Sequence, residues 1–195
     1  MTVDEILQIL TVQDVGYDAH VDKAFNLIPD GLCCEFGVYA GRTLIPFANK
    51  LAPRKLYGFD SFEGLPEEWC KVAPKGAFKT DPAAIELPAN AELVIGLFQD
   101  TLESFLAHHG QPVAFCHFDA DLYSSTKYVL DTIRPWLAKG AIVIFDEIIG
   151  DVPCHEHEAR AFAEWVTENG IDFQVIGMRH RKEAIFQINN AGTGR

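Results

Sequence analysis

Residues 35 to 43, Glu-Phe-Gly-Val-Tyr-Ala-Gly-Arg-Thr, follow the apolar run Leu32-Cys33-Cys34 and lead into a stretch of helical character. The glycines at 37 and 41 mark a strand-to-helix turn that needs backbone room, and the free N–H groups of the following helix favour a negative group such as a carboxylate. Such a turn cradles a cofactor. The next apolar stretch, Leu56 to Phe59, closes on Asp60, 25 residues after Glu35, where a carboxylate can accept both hydroxyls of a ribose. A two-glycine turn alone is also an ordinary tight turn of an α/β domain, so the fold is decided by what surrounds it.

Strand and helix alternate outward from that turn. Val3 to Leu10 and Ala19 to Ile28 have helical spacing, and Thr43 reads as an N-cap that puts Pro46 at the third helical position, where its missing N–H costs nothing. This helix runs to Leu51 and stops at Pro53. Strands follow at Lys55 to Phe59, Glu92 to Gly96, Val113 to Phe118 and Ala141 to Phe145, with helices at Thr101 to His108 and Ser124 to Leu137. The alternation requires right-handed crossovers and a parallel sheet covered on both faces. After residue 150 a helix from Glu156 to Asn169 precedes two strands, Ile171 to Ile176 and Ala184 to Ile188, joined by the basic turn Arg179-His180-Arg181-Lys182. So short a connection permits only an antiparallel pair, and the basic turn reads as solvated. The proline-punctuated segment from Pro66 to Asn90 is too long for an ordinary connection, and Trp69, Val72 and Phe78 speak for an ordered lid.

With 195 residues, 48% hydrophobic and 23% charged, the chain is expected to form a single domain. Its parts are N-terminal helices (1–30), a cofactor-binding core (31–150), and a helix with a terminal hairpin (151–189). No apolar run has the length of a membrane span, and the start MTVDEILQIL lacks a basic region before an apolar one, so the expected location is cytoplasmic. A net charge of −12 disfavours nucleic acid and favours a small-molecule partner. The five cysteines lack C-x-x-C spacing, and Cys33, Cys34 and Cys116 read as small core residues. The N-terminal helices could cover the active site or a subunit contact, which leaves a homo-oligomer open.

In open α/β sheets, ligands lie beyond the carboxyl ends of the strands. Here those ends carry Glu35, Asp60, Asp119 with Asp121, and Asp146 with Glu147. So many carboxylates on one rim repel each other unless a cation neutralises them, and hard oxygen ligands suit Mg²⁺ or Ca²⁺ better than zinc. The plainer reading makes Asp119 and Asp146 caps and leaves Asp121 and Glu147 to solvent. His155-Glu156-His157-Glu158 lacks the H-E-x-x-H spacing of a zinc helix, and a histidine there is either a rim contact or part of a solvated helix start. Asp100 reads as the N-cap of its helix, and Phe98 and Gln99 as groups that stack on and hydrogen-bond a purine.

The motifs EFGVYAGRT (35 to 43), GFDSFEGLP (58 to 66), GLFQDTL (96 to 102), HFDADLYSSTKYVL (117 to 130) and IVIFDE (142 to 147), in this order, resemble class I S-adenosylmethionine-dependent methyltransferases. The closer resemblance is to the macrocin O-methyltransferase family. It implies a three-layer Rossmann-like sandwich whose mostly parallel seven-stranded sheet has the order 3-2-1-4-5-7-6 with one antiparallel strand. It also implies S-adenosylmethionine held at Glu35, Gly37 and Gly41 by its methionine part, at Asp60 by its ribose, and at Phe98 and Gln99 by its adenine, with Val38, Tyr39, Thr43, Ser61 and Asp119 as further cofactor contacts. In metal-dependent relatives, acids at the positions of Asp119, Asp146 and Glu147 bind Mg²⁺; Asp119, supported by Asp121, would take the acceptor proton. Two departures stand out: Tyr39 occupies the place of a third glycine, and Asp146-Glu147 stands where some relatives have two aspartates. A catalytically silent module of the same fold, or a nicotinamide oxidoreductase, are the competing readings. The intact glycines and rim acids oppose the first, and the G-x-x-x-G spacing opposes the second.

Overall fold

The computed structural model describes residues 2–11, 17–148, 156–179 and 182–191. Four strands end on the same two-residue pattern, a phenylalanine followed by a glycine or aspartate: Phe36-Gly37, Phe59-Asp60, Phe118-Asp119 and Phe145-Asp146. In β1 (Leu32–Phe36), β2 (Leu56–Asp60), β4 (Val113–Phe118) and β5 (Leu137–Phe145), register pairs Phe36 with Phe59 and with Phe118, and Phe118 with Phe145. Their rings form a ladder across the sheet, with centroids 5.1, 5.4 and 4.7 Å apart, and all four side chains are fully buried. Each such burial stabilises the fold by about 1.5–3 kcal/mol, and each aromatic pair adds about 0.5–1.5 kcal/mol. The consequence is positional: the next residue on each strand arrives at one rim.

Completed by β3 (Ala91–Ile95), β6 (Asp172–Arg179) and β7 (Glu183–Asn190), the seven-stranded sheet has the order β3-β2-β1-β4-β5-β7-β6. All pairs from β3 to β5 are parallel, and β7 runs antiparallel to both β5 and β6, as the short hairpin required. Side chains alternate between two covering layers. Cys33, Phe115, Ile142 and Ile144 pack with α2 (Tyr17–Leu27) and α3 (Leu44–Leu51). Cys34, Cys116, Val143 and the phenylalanine ladder pack with α1 (Val3–Thr11), α4 (Phe98–His109), α5 (Tyr123–Ile133) and α6 (Glu158–Asn169). The thiols of Cys33, Cys34 and Cys116 are unpaired and buried, and burial pushes that of Cys33 up to about 11. Strand order reverses between β1 and β4, which opens the crevice where such sheets bind ligands.

Several boundaries differ from the sequence expectation. Helix α4 begins at Phe98, so Phe98 and Gln99 are its first residues and Leu97, not Asp100, is the N-cap. Thr43 holds the N-cap position of α3 but makes no side-chain capping bond, because its hydroxyl is engaged elsewhere. The expected helix to Leu137 stops at Ile133 and passes through a 3₁₀ turn, Arg134–Trp136, set by Pro135. His155, His180 and Arg181 lie outside the described residues. Among those described, no helix is long and apolar enough to cross a membrane.

Candidate active site

A cavity of about 450 Å³ opens at the β1/β4 crevice. Backbone bonds tie the rim residues to the neighbouring strand: Gly37 N–H donates to Phe59 O at 3.0 Å, Asp119 N–H to Phe36 O at 2.9 Å, and Asp146 N–H to Phe118 O at 2.9 Å. Gly37 has φ +92°, and a Cβ there would lie 1.8 Å from the Asp119 carbonyl oxygen. The glycine is therefore required by close approach as well as by conformation. Tyr39 adopts φ +50°. It keeps the left-handed turn at the strain cost a glycine avoids.

Asp60 organises this turn. Its Oδ2 accepts the N–H groups of Val38 and Tyr39, each at 2.8 Å, and its Oδ1 accepts that of Phe62 at 2.8 Å. A carboxylate offers about four acceptor sites, so roughly one remains for a ligand hydroxyl. Ser61, also in the cavity wall, accepts Glu63 N–H at 3.2 Å and keeps its own O–H to donate.

Of the expected cofactor contacts, Gly37, Val38, Tyr39, Thr43, Asp60, Ser61, Phe98, Gln99 and Asp119 line the cavity, while Glu35 and Gly41 do not. Glu35 is fully buried beneath it, on the sheet face covered by α3. It accepts the Thr43 hydroxyl at 2.9 Å and sits 3.3 Å from His117 Nδ1, although neither Glu35 Oε2 nor that nitrogen has a hydrogen-bond partner. Burial alone would push the imidazole down; contact with Glu35 and the charges of Asp119 and Asp146 bring it up to about 9. Glu35 thus joins the turn to β4 through Thr43 and His117. Gly41, at φ +73°, is packed against Ile85 and Ile45.

The acids gather on the β4/β5 side, where Asp119, Asp121, Asp146 and Glu147 all line the cavity. Burial, then repulsion from Asp146, pushes Asp119 up to about 8; burial, then Glu147 and Asp146, pushes Asp121 up to about 7. Two residues of the stretch read as a rim contact or a solvated helix start, Glu158 and His157, hold these loops together. Glu158, fully buried at the start of α6, accepts Ala120 N–H at 3.3 Å with one oxygen and Glu147 N–H at 3.1 Å with the other. Burial, then the charge of Asp119, holds its carboxyl well above the ordinary range. His157 Nδ1 accepts Tyr123 N–H at 3.0 Å, so it supports the loop after β4 from outside the cavity wall. Lys182, expected to be a solvated part of the terminal hairpin, instead pairs with Glu147. Among the described residues no three histidine, cysteine, aspartate or glutamate side chains gather in metal-binding geometry. Of the three expected ligands, Asp119 and Asp146 remain turned to the rim, and Glu147 is engaged by Lys182.

The long segment after Pro66 crosses from one flank of the cavity to the other. Near Gly64, Leu65 N–H donates to Ala77 O and Gly76 N–H to Leu65 O, each at 2.8 Å. Phe78 then meets Tyr39 edge-on at 5.7 Å, while Glu67 accepts the Ser124 hydroxyl of α5. Between these anchors Trp69 lines the cavity with a buried Nε1–H that has no partner. The segment is ordered, with its own turns and the 3₁₀ piece Pro82–Ala84.

Over residues 34–148 the sequence matches the family described as methyltransferase domain. No curated protein sequence matches the chain significantly. Among solved structures, the calicheamicin methyltransferase CalS11 is 29% identical, with a TM-score of 0.70 over 87% of this chain and 76% of that one. The apo structure of CalS11, described as a TDP-rhamnose 3'-O-methyltransferase, gives 29% identity and 0.61 over the same shares. The O-methyltransferase NovP shares the fold at 19% identity, with a TM-score of 0.66 over 87% of this chain and 78% of that one.

Proposed function

We propose, from the premise that this chain belongs to the methyltransferase-domain family and is a class I S-adenosylmethionine-dependent methyltransferase, that it methylates a hydroxyl oxygen of a small molecule or sugar with the help of a divalent cation. The observation that carries the reading is the division of one cavity into two halves. On one side lie the glycine turn, Asp60, Phe98 and Gln99; on the other lie Asp119, Asp121 and Asp146. Gly37 lets the β1 turn and the β4 loop meet at this cavity, because a Cβ there would lie 1.8 Å from the Asp119 carbonyl oxygen. Bound there, S-adenosylmethionine supplies a methyl group already activated on a sulfonium. The protein's own task is to orient the acceptor and remove its proton. Asp119, backed by Asp121, receives that proton, and the Trp69 N–H offers a hydrogen bond to an oxygen of the acceptor. Glu158 and His157 keep the two acid-bearing loops in place.

Two rim carboxylates suit Mg²⁺, which binds through one or two such groups and keeps much of its water. Asp119 and Asp146 would hold the ion, with Glu147 held back by Lys182. A bound cation lowers the pKa of a coordinated acceptor oxygen. The sugar as acceptor class is supported by CalS11, whose apo form is described as acting on TDP-rhamnose.

The test is transfer of labelled methyl to a panel of nucleotide-linked deoxysugars, with and without EDTA. Chelation, or Asp146→Asn, is expected to lower turnover by roughly 100-fold or more, the scale on which general acid–base and metal assistance act, while S-adenosylhomocysteine affinity stays within about threefold. Full turnover under both conditions would sink the metal-assisted route and leave proton removal by the aspartates alone.

A further inference from the structure

Among the described residues, the cavity wall contains five carboxylates, Asp60, Asp119, Asp121, Asp146 and Glu147, and one cationic side chain, Arg42. Arg42 lies in the turn between Gly41 and α3, which follows β1, whereas Asp119, Asp121, Asp146 and Glu147 follow β4 and β5. It makes no ion pair or hydrogen bond to another described residue, whereas the neighbouring Thr43 spends its hydroxyl on Glu35. A ligand that carries both signs at one end, as an amino acid does, finds many partners here for its ammonium and one for its carboxylate. Backbone N–H groups at the start of α3 add to the attraction for an anion on that side.

We infer that Arg42 binds the α-carboxylate of the amino-acid end of the cofactor and so fixes which way that end lies. The inference rests on the S-adenosylmethionine reading above and deepens it. A guanidinium is suited to the task because its fork of N–H groups matches a carboxylate in two-point contact. The contact acts on binding and leaves the acceptor side of the rim untouched. It also supplies what the acid-rich wall lacks, since an anionic group elsewhere in this cavity would face repulsion from Asp119, Asp121 or Asp146.

The test compares two probes by calorimetry: S-adenosylhomocysteine and its decarboxylated analogue, which keeps the adenosine, the thioether and the amine. Wild-type protein is expected to prefer S-adenosylhomocysteine by roughly tenfold, the effect of about one charge-assisted contact. In Arg42→Gln that preference should vanish through weaker S-adenosylhomocysteine binding, with affinity for the analogue unchanged; Arg42→Lys should restore part of it. A preference that persists in Arg42→Gln, or an equal loss for both probes, overturns the role of Arg42. Failure of both probes to bind wild-type protein would overturn the cofactor site itself and Arg42's role with it.

Discussion

Gly37→Ala is expected to abolish cofactor binding while most of the chain still folds. The added Cβ would meet the Asp119 carbonyl oxygen at 1.8 Å and its carbon at 2.6 Å, and both are backbone atoms that no rotamer change can move aside. Residue 37 also sits at φ +92°, where a side chain is strained. Strain of this kind costs about 1–3 kcal/mol, and overpacking about 1–3 kcal/mol more. The chain relieves it by separating the β1 turn from the β4 loop. Those are the two segments that form opposite walls of the cavity, and a displacement of about 1 Å in a reacting geometry is worth roughly 100-fold in rate. Calorimetry with S-adenosylhomocysteine checks the first consequence and thermal unfolding the second. Gly76→Ala is the control: it shares a positive φ of +84° but has nothing within 4 Å of the added carbon, so it should bind normally. Wild-type affinity in Gly37→Ala would show that the cofactor does not use this turn.

Phe118→Ala should be the most destabilising single truncation near the site. Phe118 is fully buried and stands between Phe36 and Phe145 in the ring ladder, with centroids at 5.4 and 4.7 Å. Removing a buried phenylalanine ring costs about 3–5 kcal/mol through lost transfer energy and the cavity left behind. In a domain of this size that corresponds to a melting temperature lower by on the order of 10 °C. Phe118→Leu keeps more of the volume and should cost less, about 1.5 kcal/mol if the neighbours repack. Thermal unfolding of the pair separates the two effects. A loss under about 1 kcal/mol for Phe118→Ala would mean that the ladder does not position the rim.

The ladder also explains which parts of the site were legible beforehand. Each strand of the rim announces itself as an apolar run that ends in phenylalanine and then a glycine or aspartate, so strand ends and the rim acids follow from local pattern, whereas the sheet order followed from the family resemblance. The turn at 35 to 43 is legible for the same reason, since close approach leaves few residue choices at Gly37. Side-chain partners across long separations were not. Glu158 reads as an acid in the first turn of a helix, ordinarily solvated, and nothing local reveals that β4 and β5 bring Ala120 and Glu147 to its two oxygens. Lys182 looked like part of a solvated turn because its partner, Glu147, is 35 residues away. Asp60 was legible as the end of the second strand, but its three backbone donors were hidden, and with them the limit on what it can offer a ligand. Glu35 is a further case: its motif position was legible, but its full burial and its contacts with Thr43 and His117 were not.

The central claim is that the crevice between β1 and β4 is a site for S-adenosylmethionine. Calorimetric titration of the purified chain with S-adenosylhomocysteine, with NAD as the comparison ligand, tests it most directly. The account predicts saturable binding of S-adenosylhomocysteine with one site per chain and no measurable heat from NAD. Binding of NAD in preference to S-adenosylhomocysteine, or of neither, would contradict it.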